Sequence, residues 1–113
     1  MLSKDNRIKK KKDFELIFKN SKNFKNNFFI LKIAKNDLGV NRFGFVISKK
    51  VSKKAVIRNK IRRRLSEAVK VEINNIKAGM DLILIVLPGA EKKDFYEIKE
   101  AVKNAFVKIN KNV

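Results

Sequence analysis

Apolar and polar positions alternate along this chain in four distinct rhythms. Asp13 to about Asn20 reads DFELIFKN, with Phe14, Ile17 and Phe18 at i, i+3 and i+4. That spacing predicts a short helix with one apolar face. Asp13 is placed to cap or charge its first turn. The stretches NNFFILKIAKN and NRFGFVISKK follow, with apolar residues at a period of two. Both predict strands. NDLGVN between them is rich in turn residues, which predicts a hairpin. In the second strand Phe43, Phe45 and Ile47 share a face, and Gly44, Val46 and Ser48 leave a flatter one opposite. In the first strand Phe29, Leu31 and Ile33 should enter the core, while Phe28, Ile30 and Lys32 face the other way.

The third rhythm runs from about Lys54 to Ile76. Ile57, Ile61, Leu65, Ala68, Val69, Ile73 and Ile76 form a helical stripe, ended by Gly79. The fourth opens with DLILIVLP, short and continuously apolar, as a central strand is. A last helix is predicted from about Asp94 to Asn110, with Phe95, Ile98, Ala101, Val102, Ala105, Phe106 and Ile109 as its stripe. Asp94 and Glu97 have the spacing of a capping box. The order is α, β, β, α, β, α, with room for a further short strand near Lys22 to Asn26. There is no repeat and no linker. The pattern predicts one α+β domain over residues 1–113, a small sheet with helices packed on it.

Charge changes the picture more than length does. The chain carries 29 Lys and Arg against 11 acids, a formal net charge of +18. A single-sign field of that size calls for a polyanionic partner. The third segment concentrates it. From Lys53 to Lys70 the sequence is KKAVIRNKIRRRLSEAVK, with eight cations and one acid. At about 100° per residue, Lys60, Arg63 and Arg64 lie away from the apolar stripe, and Arg58 and Arg62 lie together at its flank. A merely solvated face mixes signs and pairs them at i, i+4. Here Arg offers bidentate and stacking contacts to phosphate. Asn59 adds a neutral group able to read a base edge or a 2′-hydroxyl. Membrane binding fits less well: the stripe is needed by the core, and Trp is absent.

The chemistry of catalysis is missing. There is no Cys and no His, so no disulfide, no thiolate and no imidazole base. No HExxH, GxxxxGK[ST] or GxGxxG pattern occurs. The 11 acids are scattered, and no Lys stands out as a nucleophile. The N-terminus is basic without an apolar h-region, so a secretory signal is not expected. The longest apolar run, Leu82 to Leu87, is too short to span a bilayer. A soluble, cytoplasmic chain with no membrane partner is the simplest expectation. Phe14 and Phe18 suit a core, and Phe28 on the flatter face is a candidate for stacking an unpaired base.

SKKVSKKAVIRNKIRRRLSEA resembles the RNR signature of the bacterial ribonuclease P protein subunit. Ser48, Lys49 and Lys50 match the strand end. Ala55, Val56, Arg58, Asn59, Arg62 and Arg63 match the helix, Arg62 by charge. RIKKKKDFELIF is similar to the family's N-terminal motif through Arg7, Ile8, Asp13, Phe14, Ile17 and Phe18, and DLILIVLPGA falls where the family has a strand. The resemblance covers nearly the whole chain. It departs at Lys60, which replaces an Arg and loses its fork, at Ser66, where many members carry Arg, at Ser52, a frequent Gly, and at Lys32, where some have an aromatic.

The resemblance implies an α/β sandwich also used by some ribosomal proteins, with a left-handed βαβ crossover where the general rule expects a right-handed one. It implies a non-catalytic protein subunit of an RNA-catalysed endoribonuclease. Its partners would be the catalytic RNA subunit and precursor tRNA, whose 5′ leader is removed, and no protein partner would be required. Mg²⁺ would be held mainly by the RNA subunit and substrate. Lys53, Lys54, Arg58, Asn59, Lys60, Arg62, Arg63 and Arg64 would bind the catalytic RNA. Phe14, Phe18, Phe28, Lys32 and Val46 would line a cleft for the leader. A ribosomal or ribosome-associated protein is the alternative, and a nucleoid-like DNA binder a third class.

Overall fold

The computed structural model describes residues 2–112, and side chains for residues 2–110; Met1 and Val113 of the expected domain lie outside the described residues. Helix α1 (Lys11–Asn20) is followed by strands β1 (Lys22–Lys25), β2 (Phe29–Lys35) and β3 (Arg42–Val46). Helix α2 (Ala55–Glu72), strand β4 (Met80–Val86) and helix α3 (Phe95–Asn112) complete the chain. The sheet order is β1-β2-β4-β3. β2 is antiparallel to β1 and β4, whereas β3 and β4 run parallel, joined through α2. This is a small α+β fold, as the patterning implied, and its sheet is mixed.

The hairpin is not formed. β4 lies between β2 and β3, and its composition explains why. Leu82, Leu84 and Val86 are buried toward α2 and α3, while Ile83 and Ile85 meet the cluster under α1. A strand apolar on both faces belongs at the centre. The turn residues of the β2–β3 link clasp the incoming strand instead of closing a tight turn. The Asn36 N–H donates to the Gly79 carbonyl at 2.8 Å. The Met80 N–H donates to Asn41 Oδ1 at 2.9 Å. Gly79 sits at φ +87°, where a side chain would be strained.

Period-two alternation sorts the sheet faces. Phe29, Leu31, Ile33 and Phe43 pack against α2 and α3, and the Phe43 and Phe106 rings stack at 6.1 Å. On the other face Gly44 accepts the ring of Phe14: a Cβ there would lie 2.7 Å from it. The flat face expected of β3 is thus the seat of α1. Asp13 does not cap α1, whose N-cap is Lys10 without a side-chain bond, but it does place its charge in the first turn, the other half of the expectation; its carboxylate pairs with Arg42 at 3.3 Å. Asp94 does cap α3, accepting from the Glu97 N–H at 2.8 Å. Phe95, expected in the α3 stripe, remains 39% exposed at the helix start.

The basic N-terminus is also held down. Leu2 and Ile8 are buried. Arg7 bridges Phe43 in parallel, and the Ile8 N–H donates to the Phe43 carbonyl at 2.9 Å. This strap shields the free edge of β3.

Candidate nucleic-acid interface

Two surfaces carry the expected residues. The first is α2 with the link before it. Ile61, Leu65, Ala68 and Val69 are buried and fix the rotation of the helix. Val51 anchors the link in the core. The Ser48 and Ser52 hydroxyls accept from the Lys50 and Lys54 N–H groups, each at 3.2 Å, and fold the link into turns. Lys49, Lys50, Lys53, Lys54, Asn59, Lys60 and Arg63 are exposed as a result. The N-cap is Lys54, with no side-chain cap bond and no acid in the first turn. A Ser or Asp cap would stabilise the helix by about 0.5–2 kcal/mol. Its absence leaves the positive end of the helix dipole uncompensated beside four lysines, as an anion-binding surface requires.

The arginines are not equivalent. Arg58 Nη1 donates to the Ser52 carbonyl at 2.9 Å, bracing the link with one of its five N–H groups. Arg62 Nη1 donates to Asn59 Oδ1 at 3.0 Å. That bond occupies the acceptor of Asn59 and leaves its NH₂ as a donor. Arg64 departs from the helical-wheel expectation. It is half-buried, and Nη1 donates to the Lys93 carbonyl at 3.1 Å, so it ties α2 to the segment before α3. A long side chain reaches whichever acceptor lies within its length, which the angle of its Cα does not reveal.

The second surface lies between α1 and the sheet. Phe14 and Val46 join the cluster of Ile8, Ile17 and Ile83. Phe18 is 41% exposed. The Lys32 ammonium stands 5.4 Å from its ring and donates to Asn23 Oδ1 at 3.0 Å. Four of the five expected cleft residues therefore share one face, half apolar and half aromatic–cationic. Phe28 does not join them. Asn26 Oδ1 accepts from the N–H groups of both Phe28 and Phe29, at 2.8 and 2.9 Å, and turns the chain just before β2. Phe28 falls outside the strand alternation and packs against the opposite core, with the Lys93 ammonium 5.7 Å from its ring.

Arg42 was not foreseen. Its Nε and Nη2 grip Asp81 at 2.9 and 2.7 Å, and Nη1 reaches Asp13. This holds α1 over the sheet. The Asp81 hydrogen bond raises the Arg42 pKa above its ordinary value, with burial opposing. The packing of the N-terminal strap around Arg7 was not foreseen either. Leu2 and Ile8, isolated apolar residues in a basic stretch, were the signal that this segment packs. Among the described residues no three His, Cys, Asp or Glu side chains gather as a metal site. No helix there is long and apolar enough to cross a membrane.

Known proteins agree with this arrangement. A family model described as Ribonuclease P matches residues 2–110. The ribonuclease P protein component of Clostridium botulinum is 35% identical over 106 residues, covering 93% of this chain and 95% of the relative. That of Clostridium kluyveri is 38% identical, covering 90% and 92%. Among solved structures, the Staphylococcus aureus RNase P protein superposes with a TM-score of 0.84 at 31% identity, over 93% of this chain and 97% of that one. The Thermotoga maritima protein gives 0.83 at 30%, over 91% and 96%. A cationic, poorly capped helix on a mixed sheet, in a chain matched almost end to end by these proteins, belongs to the bacterial ribonuclease P protein family and is a protein subunit of that enzyme.

Proposed function

We propose that this subunit binds the catalytic RNA of ribonuclease P through α2 and its preceding link, and contacts the 5′ leader of precursor tRNA along the strip between α1 and the sheet. It assists endonucleolytic release of the mature 5′ end without supplying catalytic groups. The observation that carries this reading is the exposed cationic surface at the uncapped start of α2. Lys53, Lys54, Asn59, Lys60 and Arg63 contact the RNA backbone directly. Arg58 and Arg62 do so with the N–H groups left by their internal bonds. Phe14, Phe18, Lys32 and Val46 serve the leader; Phe28 is outside that strip.

The effect on catalysis is indirect. Cations reduce repulsion among phosphates, and binding the leader raises the local concentration of the scissile bond. In this reading Mg²⁺ is held mainly by the RNA subunit and the substrate, and no step runs through a protein-held ion. The proposed setting is the cytoplasm.

The test is cleavage of 5′-labelled precursor tRNA by the matching catalytic RNA at low Mg²⁺, with and without this protein. Strong stimulation, lost on Arg58→Ala plus Arg62→Ala, is expected. Absence of stimulation by folded protein refutes the proposal.

A further inference from the structure

The sheet has two edges, and only one is covered. The N-terminal strap lies along β3, with Arg7 bridged to Phe43 and the Ile8 N–H bonded to the Phe43 carbonyl. At the other end β1 pairs with β2 alone among the described residues. Its outer edge offers backbone N–H and C=O groups to any chain able to pair with them. Beside this edge, on the face covered by α3, lies a cavity of about 230 Å³. Phe24, Phe29, Leu31, Ala101 and Ala105 give it apolar walls. Ala101 and Ala105 are four apart on one face of α3, and their small side chains leave the space open. A cavity of about 150 Å³ already takes a benzene ring, so one phenyl side chain fits here. None of the described residues lining the cavity is acidic, and exposed Lys25 is among them.

We infer that β1 and this cavity form a docking site for an acidic, extended segment of another protein, which pairs with β1 as an added edge strand and seats one aromatic side chain against Phe24. In such pairing the main chain supplies affinity and a pocket selects the side chain. The register of β1 on β2 sets the pattern. Phe24 pairs with Leu31 and Lys22 with Ile33, so both project on the α3 face. Asn23 and Lys25 project on the other face, with Lys32 and Ile30. An antiparallel segment reading Glu-Phe-Thr-Glu therefore sets its acids opposite Lys25 and Lys22 and its ring opposite Phe24. Opposite charges across a strand pair attract. A second copy of this chain fits poorly, because antiparallel pairing of two β1 strands sets Lys22 against Lys25 twice, and like charges directly opposite repel. The lysines that bar self-pairing thus admit an acid. An RNA backbone gains nothing from apolar walls, and the strip proposed for the leader lies on the opposite face, with Lys32.

This inference goes beyond the ribonuclease P reading and does not rest on it. The probe is a capped peptide, Thr-Glu-Phe-Thr-Glu-Thr, titrated into the whole protein labelled with ¹⁵N and ¹³C. The amides of Lys22 to Lys25 and the methyls of Ala101 and Ala105 should shift saturably. Replacing the peptide's Phe by Ser should weaken binding about tenfold or more, the loss of one buried apolar side chain. Peptides N-methylated at alternate residues should differ: one set abolishes binding and the other leaves it, because only alternate residues of a strand bond to a given neighbour. Lys22→Glu plus Lys25→Glu, both at exposed positions, should remove binding of the probe and admit a peptide carrying Lys in place of Glu. Shifts confined to the start of α2, a response indifferent to the peptide's Phe, or equal effects of the two N-methylated peptides overturn the site.

The same spectra separate the other occupants. If the β1 amides move with protein concentration alone and the protein sediments as a dimer, the occupant is a second copy and the acidic partner is overturned. If oligouridylate shifts the β1 amides and the two Ala methyls in place of the peptide, the groove belongs to RNA, with the same consequence. In the assembled enzyme, saturating peptide should leave the stimulation of precursor-tRNA cleavage unchanged, because the groove faces away from the strip between α1 and the sheet. Loss of stimulation at saturation overturns that placement. Failure of the ribonuclease P reading is distinct from all these: wild-type protein without peptide would then stimulate no cleavage.

Discussion

Gly44→Ala tests whether one ring holds α1 to the sheet. An added Cβ would meet Phe14 Cε1 and Cζ at 2.7 Å, while Ile8 Cβ lies at a comfortable 3.6 Å. Real carbon contacts do not come that close, so the ring must lift or β3 must shift. Overpacking of this kind costs about 1–3 kcal/mol. Opposing it, replacing a strand glycine by alanine ordinarily gains about 0.5–1 kcal/mol. The net expected loss in the wild-type background is about 0.5–2 kcal/mol. In a Phe14→Ala background the clash is gone and only the gain remains, so the same substitution should stabilise by about 0.5 kcal/mol. The sign should flip. Urea unfolding of the four proteins by circular dichroism, in high salt to damp charge repulsion, measures it through the midpoints at constant m. The cycle should yield a coupling of about 1–3 kcal/mol. Additivity within about 0.3 kcal/mol would refute the reasoning, because the cost would then come from the backbone or from Ile8.

Arg42→Met leaves the buried Asp81 carboxylate with Asn36 alone, and should destabilise the protein by about 3 kcal/mol; a urea-derived loss below about 1 kcal/mol would mean the triad is dispensable. Asn26→Ala removes the acceptor of two backbone N–H groups and should lower stability by about 1–2 kcal/mol, with new ring shifts at Phe28 by NMR; an unchanged melting curve contradicts the turn's role. Arg63→Ala should leave stability within about 0.5 kcal/mol, while the slope of log K against log salt for RNA binding falls by about 0.7–0.9. Arg64→Ala should do the reverse, losing thermal stability because it frees the Lys93 carbonyl, with a smaller change in salt slope. Identical behaviour of these two variants would erase the distinction drawn between them.

The local elements were legible because each is written in a short window. The stripes of α1, α2 and α3 have helical spacing. The alternation of Phe29, Leu31 and Ile33 and of Phe43 with Gly44 needs only a period of two. The cation-rich start of α2 is visible as composition, and the short strand near Lys22 has its place. The first surface of the site was therefore almost wholly readable, since exposed lysines need nothing but a helix beneath them. Most of the failures share a different cause, a group distant in sequence; Phe28 is the exception, turned by Asn26 two residues before it. NDLGVN has the look of a hairpin, but strand order is decided by which strand can be buried on both faces, and that is β4, about forty residues later. Asp13 reads as a cap or a first-turn charge, and only its place in the first turn holds, because Arg42 is brought beside its carboxylate. Arg64 reads as exposed until the Lys93 carbonyl arrives.

The sequence by itself determined what this protein is made to meet: a +18 chain without His or Cys, with its cations massed on one amphipathic helix, has a polyanion as its partner. Tertiary structure alone decided where each charge is spent. It placed Arg7 beside Phe43 at the edge of the sheet and set Arg42 between Asp13 and Asp81. Periodicity reports which way a residue faces along its own element, whereas the partner it faces is set by the packing of elements far apart in the chain.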